Sequence, residues 1–335
     1  MAKRPLPGKR HNLQDATKPL DDFDRLARKR LGLPPPEKLV NPSRRRWLPP
    51  LLLLFLAACI VGYGFHLHQK RGTVAPYSQP LLVSFLDVGQ GDSTLIQTPS
   101  GKNILIDTGP PSARSMLFAE LQQRGVKRLD MLITSHPDRD HYGNTLAVLQ
   151  RIPTAAVVDS GFVKGSLTQH DLLEEVKRQG IPFVNVMQKQ LACTHQDLGD
   201  GVTLNYLAPL AYSPNANDNS IVLKVVLGHE SILFMGDAEE GERASLLASG
   251  QNVEATVLKV AHHGSQNGTD TAFLARVHPE VAIISSGLGN QFNHPNQATL
   301  DVLRQAGAKV WRTDLQGTIT LQTDGKSVNV SSSRK

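Results

Sequence analysis

The stretch Thr134–His141 concentrates side chains that bind metal ions. It follows an apolar run, Leu129–Ile133, that predicts a buried strand, and four donors then fall within six residues: His136, Asp138, Asp140 and His141. A strand that ends in such a loop projects its donors into one small volume, whereas a helix would spread them around its circumference. Two divalent ions about 3.5–4 Å apart need this density of donors, and two-metal sites usually hydrolyse phosphoesters or amides. The stretch predicts such a site; the alternative is a polar turn that caps the next helix.

Two further carboxylates stand at the ends of apolar runs. Asp107 follows Asn103–Ile106, a position that suits a carboxylate orienting a metal-binding histidine or a water molecule. Asp237 follows Ser231–Phe234 by three residues, and its two oxygens could bridge two cations. The alternative for both is a turn or helix-capping residue.

Three histidines occupy similar places. His262 and His263 follow the predicted strand Thr256–Val260 and suit one metal ligand beside one hydrogen-bonding neighbour, without indicating which residue is the ligand. His294 lies in a loop after Val281–Ser285, where it could protonate a leaving group or contact substrate. Asn217–Ser220, taken alone, would be an ordinary polar turn.

The elements that must position these residues are short strands interleaved with helices. After Pro80 the pattern gives strands first, and helices such as Asp171–Gln179 then alternate with them; no strand is predicted between residues 187 and 201. Many strands with interleaved helices predict two sheets between two helical layers, an αββα sandwich within an α/β (α+β) class. We assign residues 81–331 to this domain.

The first 80 residues have a different character. Residues 1–46 are basic and poor in large apolar side chains, which predicts a disordered tail. Residues 47–67 carry no charge and predict a single transmembrane helix, followed by a linker over 68–80. Because 13 Lys and Arg precede the span, the tail is expected in the cytoplasm and the domain outside it, periplasmic or extracellular. The alternative is a lipoprotein anchored through Cys59.

Charge and cysteine content narrow the function classes. The net charge is +6, but residues 1–71 hold 15 Lys and Arg against 5 Asp and Glu, so residues 72–335 carry −4. The mildly acidic domain weakens any argument for a nucleic-acid substrate from bulk charge alone. Two cysteines, Cys59 and Cys193, predict neither a disulfide framework nor a cysteine-based zinc site.

Taken together, these segments resemble the motifs of a known family of hydrolases. His136-x-Asp138-x-Asp140-His141 resembles the His-x-His-x-Asp-His signature of metallo-β-lactamase fold hydrolases, and Asp107, Asp237 and His262-His263 match the family's other motifs in order. Several segments resemble more narrowly the hydrolase domain of the ComEC competence proteins: residues 87–93, 135–141, 219–220, 236–239, 262–265, 294–295 and 312–314.

The resemblance implies a cleft with two divalent metal ions. His136, Asp138 and Asp237 would hold one, and Asp140, His141, Asp237 and one of His262 or His263 the other. Asp138 and Asn217–Ser220 stand where histidines are common in the wider family. More oxygen ligands favour Mn²⁺, without excluding Zn²⁺. Asp140 or Asp107 would orient the attacking water, His294 would protonate the leaving oxygen, and phosphate contacts would come from three small polar residues: Asn219, Ser220 and Ser265.

Three hypotheses follow. The first is a membrane-anchored, metal-dependent nuclease that acts on DNA outside the cytoplasm and works with DNA-uptake proteins, since the sequence shows no multi-span channel. The second keeps the metals but changes the substrate to a small ester, lactone, amide or nucleotide. The third is a tethered binding module without activity. The oligomeric state stays open.

Overall fold

The computed structural model describes residues 79–334. The predicted basic tail, the span at 47–67 and the linker up to residue 78 lie outside the described residues. Within 79–334, no helix is long and apolar enough to cross a membrane.

The first sheet has eight strands in the order β15-β14-β1-β2-β3-β4-β5-β6. The strands are β1 Leu81–Phe85, β2 Thr94–Gln97, β3 Asn103–Ile106, β4 Met131–Thr134, β5 Val157–Asp159, β6 Phe183–Asn185, β14 Ile319–Thr323 and β15 Val328–Ser332. Strands β3 to β6 run parallel, and the others pair antiparallel. Parallel neighbours need crossover connections, and these contain α1 Arg114–Gln123, α2 Arg139–Tyr142, α3 Thr145–Arg151 and α4 Leu167–Gln179.

The second sheet has seven strands in the order β13-β12-β11-β10-β9-β8-β7. The strands are β7 Thr194–Gly199, β8 Val202–Ala208, β9 Val222–Leu227, β10 Glu230–Phe234, β11 Val257–Lys259, β12 Val281–Ile284 and β13 Lys309–Arg312. Strands β10 to β13 run parallel. The helices between them are α6 Glu240–Ser249, α7 Thr271–Val277 and α8 Gln297–Gln305; the short helices α5 Val186–Lys189 and α9 Thr313–Gln316 follow β6 and β13.

The two sheets face each other across an apolar interior. The rings of Phe85 on β1 and Phe234 on β10 lie 6.0 Å apart, and the Tyr206 hydroxyl on β8 lies 3.8 Å from the sulfur of Met131 on β4. Each sheet also packs against its own helices: α1, α3 and α4 share a buried cluster with the first sheet, and α6, α7 and α8 share one with the second. The mixed α/β fold with two sheets is therefore as the sequence predicts.

The parallel strands explain where the chemistry lies. Asp107, His136, Asp237 and His262 follow the carboxyl ends of β3, β4, β10 and β11, respectively. Parallel strands of one sheet end at the same edge, which is where ligands of open α/β sheets bind. The loops that carry the predicted donors are thereby gathered along these edges.

Strand β7 and the start of helix α4 differ from the prediction, and the four-residue helices α2, α5 and α9 are not predicted. Strand β7 is not predicted because only Gln196 and Leu198 in it are buried, so an edge strand leaves almost no apolar alternation in the sequence. Helix α4 begins four residues earlier than predicted. Its Ser166 cap accepts a hydrogen bond from the Gln169 amide and supports the additional first turn.

Glu242 is a buried acid on α6. Burial, and secondarily Asp218, raises its pKa to about 8. The Asp218 carboxylate accepts hydrogen bonds from the Glu239 and Glu242 amides, so it is fixed at the start of this helix. Between the ordinary pKa of a glutamic acid and pH 8, the folded chain holds a proton that the unfolded chain has released, so rising pH destabilises the fold.

We expect Glu242→Gln to remove this pH dependence. The variant should gain thermal stability relative to the parent chain at pH 8. The gain should shrink towards pH 5, because keeping the proton in the folded state costs little near the ordinary pKa of a glutamic acid. Thermal unfolding of both chains from pH 5 to 8 measures the difference. Glu240→Gln, on the exposed side of the same helix, is the control and should show no such trend. An equal shift at every pH would contradict the assignment.

Candidate metal centre

Asp237 lies at the middle of the predicted site. Its carboxylate is buried, and one oxygen, Oδ1, lies 3.1 Å from Nε2 of His141. The other, Oδ2, lies 3.6 Å from Nε2 of His263, 3.8 Å from Nε2 of His262 and 3.9 Å from Nε2 of His136. Four imidazole nitrogens from two sheets thus surround one carboxylate.

Three of these imidazoles are held through their other ring nitrogen. Nδ1 of His141 lies 2.9 Å from Asp107 Oδ2, and Nδ1 of His263 lies 3.0 Å from the backbone oxygen of Ser285. Nδ1 of His136 lies 3.1 Å from the Ser135 hydroxyl. A partner on Nδ1 fixes the orientation of the ring and leaves the Nε2 lone pair for a cation, as in metal sites generally.

The polar atoms at this centre fit a divalent cation. Among the residues that the structure describes, buried Nε2 of His136, Nε2 of His141, Oδ1 of Asp237 and Oδ1 of Asp92 have no hydrogen-bond partner. Unpaired buried polar atoms are costly and rare in folded proteins. Such atoms on Asp237 and on the residues around it would be satisfied by bound cations. One set of donor atoms, from Asp92, His141, Asp237 and His263, lies within 4.8 Å of one another.

The charges of the centre are mutually dependent. Burial alone would raise the pKa of Asp237, but His141 and His263 hold it well below its usual range. Burial alone would lower the pKa of His141, but Asp237 and Asp107 raise it well above the ordinary value. The pKa of His136 is lowered by burial and by His141. The pocket therefore stabilises positive charge beside Asp237, whether that charge is a proton or a metal ion.

Asp92 is a site residue that the sequence analysis did not single out. It is buried, its Oδ2 lies 2.7 Å from the ammonium of Lys259, and its Oδ1 lies 3.8 Å from Nδ1 of His263. Lys259 and His263 lower the pKa of Asp92 against the opposing effect of burial. The available clue was Lys259 inside the apolar run of β11, since a lysine there requires a buried counter-ion.

The backbone around the centre adopts restricted conformations. Asp107, His262 and His263 have φ of 58°, 48° and 54°, in the left-handed region that non-glycine residues rarely enter. Such strain concentrates at functional sites, where the surrounding structure compensates for it.

Gly91 has φ 150°, and a Cβ there would collide with the backbone oxygen of Asp140. The glycine lets the loop that carries Asp92 approach the metal-binding stretch.

The two acids of the stretch take different positions. Asp140 is partly exposed, and its Oδ2 lies 3.0 Å from Nε2 of His263; the hydrogen bond to His263 helps to lower its pKa, against burial. Asp138 points towards the surface, where its Oδ1 lies 2.7 Å from the ammonium of Lys164. Asp140 thus adjoins the inner cluster directly, and Asp138 is held in an ion pair beside it.

Asp107 lies behind His141. Its Oδ1 accepts a hydrogen bond from the Ser135 amide at 2.7 Å, and its Oδ2 accepts one from the Ser135 hydroxyl at 2.7 Å as well as facing His141. Both oxygens are therefore occupied within the protein. This geometry favours the role of orienting the histidine over that of orienting a water molecule.

His262 and His294 form the open side of the centre. Nδ1 of His262 lies 3.0 Å from Glu239 Oε1, and the ring of His294 packs against His262 with centroids 5.5 Å apart. Burial, with His262 and His263, lowers the pKa of His294. His263 thus belongs to the buried cluster, and His262 lies between that cluster and the partly exposed His294 at its rim.

The small polar residues mainly hold loops in place. The Ser220 hydroxyl accepts from the Asp237 amide at 3.0 Å and lies 3.4 Å from Nδ1 of His136. The Asn219 side chain bonds backbone atoms of Ser213 and Asn215 in its own loop. The Ser265 hydroxyl faces the amide of Asn267 at 3.4 Å. Substrate contacts from these three residues stay predictions.

Comparisons with known proteins agree with this geometry. A family model described as the Metallo-beta-lactamase superfamily matches residues 86–287. ComE operon protein 3 of Bacillus subtilis is 32% identical over 256 residues, which cover 71% of this chain and 32% of that protein. Competence protein ComA of Neisseria gonorrhoeae is 33% identical over 303 residues, covering 84% and 40%.

Recombination protein 2 of Haemophilus influenzae is 31% identical over 245 residues, covering 71% of this chain and 28% of that protein. The chain thus spans between 28% and 40% of the length of these relatives. Together, the sandwich of two sheets, the histidine and aspartate cluster at their edge and the match over residues 86–287 show that this chain belongs to the metallo-beta-lactamase superfamily of hydrolases.

Proposed function

We propose that this chain is a metal-dependent phosphodiesterase that cleaves DNA. The observation that carries the proposal is the buried Asp237 carboxylate with four imidazole Nε2 atoms within 3.9 Å of its oxygens. A carboxylate so placed suits a bridge between two cations, the arrangement that serves phosphoester hydrolysis. The names of two relatives, a competence protein and a recombination protein, support DNA as the substrate.

Two groups of residues would each hold one cation, and two side chains would assist the proton transfers. His136, His262 and Asp237 would hold one cation, with Asp138 at its outer side; His141, His263, Asp140 and Asp237 would hold the other, with Asp92 beside His263. When bound, divalent ions at such a site lower the pKa of water and neutralise charge on phosphate oxygens. Asp140, partly exposed at the cleft, would accept a hydrogen bond from the attacking water. His294, on the open side, would donate a hydrogen bond to the leaving oxygen. Zn²⁺ and Mn²⁺ both suit a mixed nitrogen and oxygen donor set.

We also propose where residues 79–334 lie in the cell. A span at residues 47–67 with the basic tail in the cytoplasm would put residues 79–334 outside it, where external DNA is available. We also propose DNA-uptake proteins as partners of this chain, since one relative is named a competence protein.

We expect Asp237→Ala and Asp140→Ala to abolish cleavage. Removing Asp237 leaves the imidazoles without their shared counter-charge, and removing Asp140 deletes the acid beside His263. Turnover of single- and double-stranded DNA by the full chain with Mn²⁺, Zn²⁺ or Mg²⁺, together with metal content, measures both effects. Asp171→Ala, which removes an exposed carboxylate, is the control and should keep full activity.

The outcomes separate the hypotheses. A chain that binds metal but cleaves no DNA with any of the three ions would overturn the nuclease proposal. Turnover of carboxyl esters or small phosphodiesters by the same protein would then favour the small-substrate hydrolase. Metal binding that survives in Asp237→Ala unchanged would contradict the assignment of the centre.

Asp107→Asn should weaken metal binding without removing a ligand. The amide can accept from Ser135 but loses the charge behind His141, and changes of this kind typically cost about 10–100-fold in metal affinity. Calorimetric titration of the apo-protein with Zn²⁺ or Mn²⁺ measures the affinity. Asp130→Asn is the matched control, because Asp130 also accepts a backbone hydrogen bond, from Asn103, away from the centre. Equal losses in both variants would indicate general destabilisation.

A further inference from the structure

A second cavity lies beside the metal centre. It encloses about 420 Å³ at the carboxyl ends of β5 and β6, where Asp159 and Asn185 are the last residues of their strands. Its size falls within the range of sites that hold small organic ligands, and its place at strand ends is a common one for ligands of α/β sheets.

Two segments that line the cavity also connect it with the metal-binding stretch. Tyr142, which lines the cavity, directly follows His141 on α2. The loop between β5 and α4 also lines it, and this loop carries Lys164, whose ammonium lies 2.7 Å from Asp138. Gln169 holds the loop in place, because its amide donates to the Phe162 oxygen at 2.7 Å and accepts from the Lys164 amide at 3.0 Å. Lys164 thus joins the loop that lines the cavity to Asp138 of the metal-binding stretch.

The lining combines apolar walls with one unsatisfied polar atom. The apolar side chains are Val163, Leu167, Leu173 and Phe183. Tyr142 is 2% exposed, and its hydroxyl has no hydrogen-bond partner within residues 79–334. The neighbouring Asp159 is already engaged, since it accepts from the Thr134 hydroxyl and the Gly161 amide. A buried hydroxyl without a partner calls for one from outside the protein.

The rim of the cavity is also unusual. Val163 and Leu167 are 77% and 83% exposed, although both are aliphatic. Adjacent exposed apolar side chains at the mouth of a cavity mark a binding site more often than they mark ordinary surface. Lys164 lies between them in the sequence. Its side chain is nearly half exposed and its ammonium contacts Asp138 of the metal-binding stretch, where it could also contact a phosphate or a sugar oxygen.

We propose that this cavity binds the nucleobase of the nucleotide next to the scissile phosphate, with a hydrogen bond from its polar edge to the Tyr142 hydroxyl. A nucleobase has two apolar faces for the aliphatic walls and a polar edge for the single unpaired group. Its sugar-phosphate link accounts for the position of Lys164, which joins the loop of the cavity to the metal-binding stretch. This inference rests on the proposed function, because it assigns a subsite to the nucleic-acid substrate.

Two variants test the subsite. Tyr142→Phe removes only the hydroxyl, and Leu173→Trp adds bulk at the wall of the cavity from a partly exposed helical position. Leu315→Trp makes the same change at another exposed leucine, which lines a different cavity, and serves as the control. Binding of deoxynucleoside 5′-monophosphates and of 2-deoxyribose 5-phosphate to the full chain is measured by calorimetry, which needs no turnover.

The second measurement is the cleavage of DNA strands with and without a base at the tested position. Oligothymidylate is compared with the same strand carrying one abasic residue beside the cleaved phosphate. The parent chain should bind the monophosphates more tightly than deoxyribose phosphate and should cleave the strand with its base at the lower KM. Tyr142→Phe should reduce both the binding preference and the KM preference by about tenfold. This factor corresponds to the loss of one hydrogen bond of about 1.4 kcal/mol. Leu173→Trp should remove the preference, whereas the control Leu315→Trp should keep it.

The outcomes distinguish this inference from the proposed function. Cleavage with a base preference that neither variant alters would overturn the subsite and leave the nuclease intact. Monophosphate binding that Leu173→Trp abolishes, in a chain that cleaves no DNA, would support the nucleobase site and overturn the nuclease. Equal affinity for the monophosphates and deoxyribose phosphate would show that the cavity holds water only and would overturn the inference.

Discussion

The buried carboxylate of Asp237 is the interaction on which the rest of the centre depends. An isolated carboxylate would be strongly disfavoured in this interior, because ionised groups lose their hydration there. His141 and His263 compensate its charge, and Asp107 and Asp92 in turn compensate theirs. Acidic and basic side chains therefore alternate through this network, and they come from both sheets. No member can be removed without leaving a neighbour uncompensated, which ties the two sheets together at the site where catalysis is proposed.

This network explains where the chain accepts local strain. Asp107, His262 and His263 occupy left-handed conformations that would each cost free energy in an unconstrained loop. They turn Asp107 at the end of β3 towards His141, and they turn His262 and His263 at the end of β11 towards Asp237. The strands that precede them are buried and hydrogen-bonded on both sides, so the frame can hold the loops in these conformations. Gly91 contributes in another way, by allowing the loop with Asp92 to touch the backbone of Asp140.

The two sides of the centre differ in their surroundings. On the side of His141 and His263 the groups are buried and paired with Asp107 and with Ser285. On the side of His262 and His294 they are partly exposed and open to solvent. A substrate would therefore enter over His262 and His294. The cavity lined by Tyr142 adjoins the metal-binding stretch through α2, which would leave one substrate in contact with both. The residues that would hold the ions are thus mostly buried and paired, and those at the rim are more accessible.

The sequence by itself determined the strands, the order of the motifs and most of the donor residues. Apolar runs that end in His, Asp and Gly are local features, and the period of the strands is written directly in the chain. It did not reveal strand β7, whose residues are mostly exposed at a sheet edge. Nor did it reveal the role of Asp92, because its partners, Lys259 and His263, are more than 160 residues away.

Only the tertiary structure placed His263 rather than His262 in the buried cluster, since adjacent residues with the same side chain differ only in the direction that the folded backbone gives them. The Tyr142 cavity has the same origin, because two strands, one loop and two helices form it and no single segment encodes it.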